Sequence, residues 1–250
     1  MIKKTLLLNF VFCLMFQVAS FAQNLNRKAY DGLISGAAAI RVILTFDGDA
    51  VFGTLKHKDT GVTNKVIGFA DLTGVFFYEF KSNGDVLATY TARVKDDGKL
   101  RGVSLSKWSD FQEERSLTLS KITHNVYNRK PIASYTGTYV FQLSSDLGRA
   151  SMQVEQVGKN KVTIAIHGLS GSPLHSDAII KKKTIQLTGN RAYYVQYGYD
   201  KCKLKINFTE QGATVDFYDN GTECGFGAGA TVRGMYLKIS DEKPIFKKVL

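Results

Sequence analysis

The stretch of sequence that decides the fold runs from residue 40 to residue 57 and reads IRVILTFDGDAVFGTLKH. Its first half places four apolar side chains on one face, namely Ile40, Val42, Leu44 and Phe46. A period of two is typical of a β-strand with one buried face. Asp47-Gly48-Asp49 is a turn sequence, and it leads into a second strand at residues 50–57. The stretch therefore predicts an antiparallel β-hairpin.

The same pattern recurs along the rest of the chain, where short strands are separated by Gly, Asn and Asp, and helical periodicity is nearly absent. In the first half, further strands are predicted at residues 66–72, 75–81, 86–94, 100–108 and 116–122. In the second half they are predicted at residues 135–143, 150–157, 162–167, 178–187, 191–199, 202–208, 213–218 and 231–239. Each half thus has enough strands for a small antiparallel barrel or sandwich.

Residues 123–134 interrupt this rhythm, and Pro131 has no N–H group to donate to a β-ladder. We therefore place a linker there, between a first antiparallel β-domain at residues 23–122 and a second at residues 135–240, followed by a tail at residues 241–250. The predicted fold class is all-β, with two consecutive domains that are each a calycin-like barrel or a sandwich.

Residues 1–22 have the features of a secretory signal peptide. Lys3 and Lys4 precede an apolar stretch at residues 6–18, and the small-x-small sequence Ser20-Phe21-Ala22 follows it. The apolar stretch is shorter than the roughly 20 residues that a membrane-spanning helix needs. We expect the mature protein to be exported to the periplasm or the extracellular space.

Removal of the signal peptide also removes Cys13, which leaves Cys202 and Cys224. An even pair of cysteines in an exported chain predicts one structural disulfide. This bridge would tie the segment after a predicted hairpin back to the start of that hairpin. A closed loop of this size contributes about 3 kcal/mol in the chain-entropy model.

The formal net charge of +11 falls to +9 when Lys3 and Lys4 leave with the signal peptide, and this remainder is spread over both halves rather than gathered in one arm. Such a diffuse charge favours loose association with anionic envelope surfaces. Lys181-Lys182-Lys183 is too short for a nucleic-acid patch, so we interpret it as a solvated turn and expect no nucleic-acid partner.

Several of these segments resemble exported β-proteins of the Bacteroidetes type with two domains. In the first half the resemblance lies in Tyr30-Asp31-Gly32 and in residues 40–44, 51–57, 72–80 and 102–108. The second half is similar to a bacterial module with a Cys, then Cys-Gly-Phe-Gly, then a closing Gly-x-Tyr. The matching residues are Gly137-Thr138-Tyr139, Cys202, Cys224-Gly225-Phe226-Gly227 and Gly234-Met235-Tyr236. The resemblance implies fold and export, and assigns no activity to particular residues.

The densest aromatic cluster is the best candidate for a ligand site. Tyr193, Tyr197 and Tyr199 share one face of a predicted strand. Aromatic faces can stack on sugars or line an apolar pocket, although tyrosine is also common in half-buried strands. We name these three residues as candidate ligand-binding residues.

Other chemistry-bearing residues are assigned structural roles. Glu79 lies in an apolar strand, where its pKa could be raised for acid catalysis, but we expect it to face outward beside a lysine. The scattered histidines are expected at the surface and not on a metal; they are His57, His124, His167 and His175. The glycine string at residues 225–229 lacks the strand-to-helix context of a nucleotide site, so we interpret it as a bulge beside the disulfide.

The predicted function is that of an exported, non-enzymatic binding or envelope-associated protein without catalytic residues or cofactor. Its ligand or partner could be a small molecule, a glycan or a protein. The alternatives are an inhibitor of an exported hydrolase such as lysozyme and a calycin-like carrier of a small apolar molecule. The Ser170-Gly171-Ser172-Pro173 loop is the segment that the inhibitor hypothesis would use.

Overall fold

The computed structural model describes residues 24–106, 113–128, 131–144, 148–196, 202–222 and 224–246. The expected signal peptide lies outside these residues. The described chain is all-β and forms two consecutive closed antiparallel barrels, which confirms the predicted fold class and selects the barrel over the sandwich. No helix in the described ranges is long and apolar enough to cross a membrane.

The first barrel is an up-and-down barrel in which each strand pairs with the next along the chain. Its strands are β1 (Asn24–Ile34), β2 (Ala38–Asp47), β3 (Ala50–His57), β4 (Thr63–Ala70), β5 (Gly74–Phe80), β6 (Val86–Val94), β7 (Leu100–Ser106) and β8 (Glu113–Asn128). The barrel closes where β1 pairs with β8. Its interior is packed with alternating apolar side chains, among them Val42, Leu44, Leu55, Phe77 and Leu119.

The second barrel closes in the same way, with β9 paired to both β10 and β16. Its strands are β9 (Gly137–Ser144), β10 (Gly148–Gly158), β11 (Lys161–Leu169), β12 (Asp177–Thr188), β13 (Arg191–Gln196), β14 (Cys202–Phe208), β15 (Gly212–Thr222) and β16 (Gly234–Ser240). Cys202 and Cys224 are bonded to each other, as predicted. The bridge ties the start of β14 to the segment that follows β15, and Cys202 belongs to the barrel's apolar core.

The two barrels pack against each other through the outer face of the first. Ile67, Phe80 and Val86 come from the first barrel but belong to the buried cluster that fills the second. The Asn190 side-chain amide donates to Asp47 at 2.9 Å and also to the carbonyl of Phe208, both buried. The interface is thus a continuous core with a polar edge, and it fixes the two barrels relative to each other.

Three features of the strands differ from the sequence analysis, besides shifts of a few residues at other strand ends. β8 continues to Asn128, beyond residue 122 where the first domain was expected to end, because it pairs with β1 as far as Asn24. β1 itself has no apolar alternation strong enough to predict a strand. Lys181, Lys182 and Lys183 are exposed residues inside β12, so their assignment to a turn was wrong. The strand itself was predicted at residues 178–187, and its pairing with β11 continues from Ile180 to Lys183 with a register shift between them.

Candidate functional site in the mouth of the first barrel

Glu79 is the least expected residue of the first barrel. It lies on β5 in line with Val75 and Phe77, and all three side chains point into the barrel. Glu79 is 1% exposed, so the expectation that it faces outward beside a lysine was wrong. The outward residues Phe76 and Tyr78 pack against the second barrel. Since both faces of β5 are covered, its sequence is apolar on both sides and does not reveal which face is the interior.

Three side chains from three other strands hydrogen-bond to the Glu79 carboxylate. The Asn64 amide donates to Oε1 at 2.7 Å, and the Tyr90 hydroxyl donates to Oε2 at 2.7 Å. His57 Nε2 lies 2.8 Å from Oε1. Because an ionised carboxylate has no proton to give, His57 Nε2 is the donor in this bond. Buried charge is tolerated only where it is paired and hydrogen-bonded, and this arrangement meets both conditions.

The pKa values of the cluster follow from these contacts. Burial acts to raise the pKa of Glu79, but the hydrogen bonds from His57, Asn64 and Tyr90 together hold it below its ordinary value. The hydrogen bond to Glu79 raises the pKa of His57, against the effect of its partial burial. Burial, reinforced by the Glu79 charge, raises the pKa of Tyr90. The cluster therefore favours an ionised Glu79 beside a protonated His57.

The cluster borders a cavity of about 220 Å³ in the mouth of the first barrel. We use "mouth" for the end at which β3, β5 and β7 end while β4, β6 and β8 begin. The other lining residues are Ile34, Leu87, Ala88, Ser104, Ser106 and Arg115. At about 30 Å³ per molecule, the cavity has room for about seven waters. It is a small pocket at the end of an otherwise apolar interior, and its lining combines the apolar side chains Ile34, Leu87 and Ala88 with polar ones.

The pocket offers hydrogen-bond donors from His57 and Arg115 to a ligand that enters it. Glu79 already accepts three bonds, and the hydrogen bond to Glu79 fixes the orientation of the His57 ring. In the described structure His57 Nδ1 makes no hydrogen bond, and the side chain is 27% exposed. When His57 is protonated, Nδ1 is a donor, as is the Arg115 guanidinium. The expectation that His57 is merely a surface histidine was therefore wrong.

The candidate ligand-binding tyrosines are only partly placed by the structure. Tyr193 lies on the outer face of β13, is 42% exposed, and contacts Tyr218 edge-to-face with ring centroids 5.2 Å apart. Tyr197 and Tyr199 lie outside the described residues. Tyr193 therefore belongs to the outside of the second barrel and not to the pocket around Glu79.

Metal ligation was not expected from the sequence. Within the described ranges, no group of three or more His, Cys, Asp or Glu side chains is arranged to hold a metal ion. His167 on β11 is an exposed residue that bonds to Asp177 at 2.6 Å. It is a surface histidine, as expected, and its partner is a neighbouring carboxylate.

The sequence analysis missed Asn64 and Tyr90 as site residues. Strand parity could have placed Tyr90 inside the barrel, because it alternates with Ala88 and Ala92. No local pattern indicates that these residues meet Glu79, since each comes from a different strand. No protein family, curated protein or solved structure matches the chain, so its functional interpretation depends on this geometry.

Proposed function

We propose that the protein is an exported binding protein that holds a small, polar, anionic ligand in the mouth of the first barrel. The observation that carries this proposal is a pocket that places His57 and Arg115 beside a carboxylate already hydrogen-bonded by three protein groups. Export is supported by the Cys202–Cys224 disulfide, because such bonds persist in oxidising compartments. The amino-terminal sequence supports it as well.

The charges around the pocket favour an anion. Protonated His57 balances the charge of Glu79, and Arg115 adds a further positive charge to the lining. Ser104 and Ser106 add hydroxyl groups that can donate or accept. A carboxylate or phosphate entering the pocket could thus bond to Arg115 and His57. Charge-assisted bonds of this kind are the stronger ones.

Binding is better supported than catalysis. Tyr90 is a weak proton donor because its pKa is raised and its hydroxyl is committed to Glu79. His57 is held protonated by Glu79, and this suits an anion-binding group better than a general base near neutral pH. We therefore propose a non-enzymatic role for the pocket.

The alternative functions have weaker support. A carrier of an apolar molecule needs an empty apolar cavity, whereas the interiors of both barrels are filled by buried side chains. The inhibitor hypothesis uses the loop at Ser170, but Ser170 Oγ already accepts the N–H of Ser176 within that loop. Its hydroxyl is therefore engaged in shaping the loop.

The proposal can be tested by titrating the mature protein with acetate, phosphate and glucuronate, using glucose as the neutral comparison. Binding is followed by isothermal calorimetry and by amide chemical shifts. We expect at least one anion to bind, and Arg115→Gln to weaken it by about tenfold or more, as for a hydrogen bond to a charged group. Affinity should fall as the pH rises through the raised pKa of His57, because deprotonation removes the positive charge.

Arg93→Gln is the matched control. Arg93 is an exposed residue at the other end of β6, so its replacement removes the same charge without touching the mouth. Equal weakening by Arg93→Gln and Arg115→Gln would mean that only the overall field of the protein attracts the anion. Failure of all three anions to bind at millimolar concentration would contradict the proposal.

A further inference from the structure

A second and larger cavity lies between the two barrels. This inter-barrel cleft has a volume of about 1090 Å³. Its walls come from the start of β4 and the end of β5, from residues 131–134, from residues 209–211 and from β16. Its size is just above the range of roughly 300–1,000 Å³ for ligand pockets, which often lie at domain interfaces. It meets the mouth pocket at Asn64, whose amide donates to Glu79, but the two cavities share no lining residue, and the inference below goes beyond the proposed function.

The cleft combines a polar wall with an apolar floor. The wall is rich in hydroxyl and amide groups, contributed by Thr63, Asn64, Ser82, Ser134, Thr209 and Gln211. The floor includes the buried rings of Phe80 and Tyr139, and the partly exposed Ile239 lies beside them. Hydroxyl and amide groups can exchange hydrogen bonds with a hydroxyl-rich ligand, while apolar side chains can contact its C–H groups.

Gln211 carries an acceptor that the described protein groups do not use. Its side-chain Oε1 is buried and has no hydrogen-bond partner among them. Its backbone is fixed, because its N–H donates to Thr209 Oγ1 and its carbonyl accepts from the N–H of Lys238. Buried polar atoms are nearly always hydrogen-bonded in folded proteins, to protein or to water. Gln211 lines the cleft, and a turn of its side-chain amide would bring this acceptor within reach of an O–H donor from a ligand.

The charges of the cleft favour a ligand with negative groups. Lys65, Lys81 and Lys238 line it together with only two carboxylates, Glu210 and Asp241. Asp241 is ion-paired with Lys238 at 2.5 Å. Glu210 accepts hydrogen bonds from the Tyr127 hydroxyl. Because Lys238 is itself engaged in the pair with Asp241, the formal net charge of the lining is +1, and the exposed Lys65 can present this charge to a ligand.

The closed sheets argue against a peptide as the occupant. Extended peptides commonly bind by adding a strand to an open sheet edge. Both barrels close on themselves in the described structure, so the cleft offers no such edge. We propose that the inter-barrel cleft binds an oligosaccharide that carries carboxylate groups.

The test is calorimetric titration of the full mature protein with tetragalacturonate. Maltotetraose serves as a neutral sugar and tetraglutamate as an acidic peptide. We expect tetragalacturonate to bind more tightly than either comparison compound. Gln211→Met keeps the length of the side chain but removes the acceptor, and it should weaken binding about fivefold. Lys65→Gln removes an exposed charge from the cleft and should weaken binding about threefold.

Lys159→Gln is the matched control, because Lys159 is an exposed residue in the turn between β10 and β11. It should leave the affinity for tetragalacturonate unchanged. Circular dichroism establishes whether each variant is folded. If Gln211→Met does not fold, Lys65→Gln still tests the inference. The inference is overturned if neither tetrasaccharide binds, if maltotetraose or tetraglutamate binds as tightly as tetragalacturonate, or if Lys159→Gln weakens binding as much as Lys65→Gln. Loss of binding through Arg115→Gln alone would move the site to the mouth and also overturn it.

Discussion

Replacing Glu79 by Gln tests whether the first barrel contains a buried ion pair. The Gln side chain has nearly the same shape, and its amide oxygen can still accept from His57 and Asn64. The Tyr90 hydroxyl can turn to accept from the new amide group, because a hydroxyl is both donor and acceptor. The substitution therefore removes the charge and keeps most of the hydrogen-bonding pattern.

The expected loss follows from the number of bonds to the charge. A hydrogen bond to a charged group contributes about 1.5–3 kcal/mol and a neutral one about 0.5–1.5 kcal/mol, so each bond to Glu79 weakens by about 1 kcal/mol. A neutral amide is also less costly to bury than a carboxylate. This difference offsets part of the stability lost from the three weakened bonds. We expect Glu79→Gln to lower the free energy of unfolding by about 1–2 kcal/mol at pH 5.5.

The loss should depend on pH. The pKa of Glu79 is lowered from 4.5 and that of His57 is raised from 6.5, so the ion pair contributes fully between these two ordinary values. As the pH rises through the raised pKa of His57, the histidine loses its charge and the contribution of the pair falls. As the pH falls through the lowered pKa of Glu79, the carboxylate is protonated and the contribution falls again. The difference between wild type and Glu79→Gln should therefore be larger at pH 5.5 than at pH 9.

Urea unfolding followed by far-ultraviolet circular dichroism at both pH values measures this difference. Glu114→Gln is the matched control, because Glu114 is an exposed residue of β8 and its replacement should change stability by less than about 0.5 kcal/mol. Tyr90→Phe should cost less in the Glu79→Gln background than in wild type, because the two side chains share a hydrogen bond. A loss for Glu79→Gln no larger than that for Glu114→Gln would refute the buried charge. An equal loss at pH 5.5 and pH 9 would refute the pairing with His57.

Two further predictions concern stability. Cys224→Ser should lower the free energy of unfolding by about 3 kcal/mol, since the bridge to Cys202 joins residues 22 positions apart. Urea unfolding of the variant beside the oxidised wild type measures this loss. Equal unfolding midpoints for the two proteins would contradict the prediction. The two barrels should unfold in one transition because they share a core. Asn190→Ala should lower the free energy of unfolding in that transition by about 1–3 kcal/mol, because it removes the hydrogen bonds to Asp47 and to the Phe208 carbonyl. Circular dichroism and hydrogen exchange should report the same midpoint for both barrels, and two separate midpoints would show that the interface does not couple them.

The sequence by itself determined the all-β class, the division into two strand-rich halves and the disulfide. These features depend on local or countable properties, namely the period of two along single strands, the turn residues between strands, and an even pair of cysteines in a chain with export features. The strand β3 (Ala50–His57) was predicted with its observed bounds for this reason. Its turn and its alternation both lie within one short stretch.

Only the tertiary structure decided which face of β5 is inside the barrel and what Glu79 contacts. A strand with one wet face reveals its interior by alternation, whereas β5 buries Phe77 in its own barrel and Phe76 against the other. His57, Asn64, Glu79 and Tyr90 come from β3, β4, β5 and β6, and their meeting depends on strand register and barrel closure. The inter-barrel cleft likewise exists only because the outer face of one barrel packs against the other. These contacts join residues far apart in the chain, and therefore no pattern within a single strand encodes them.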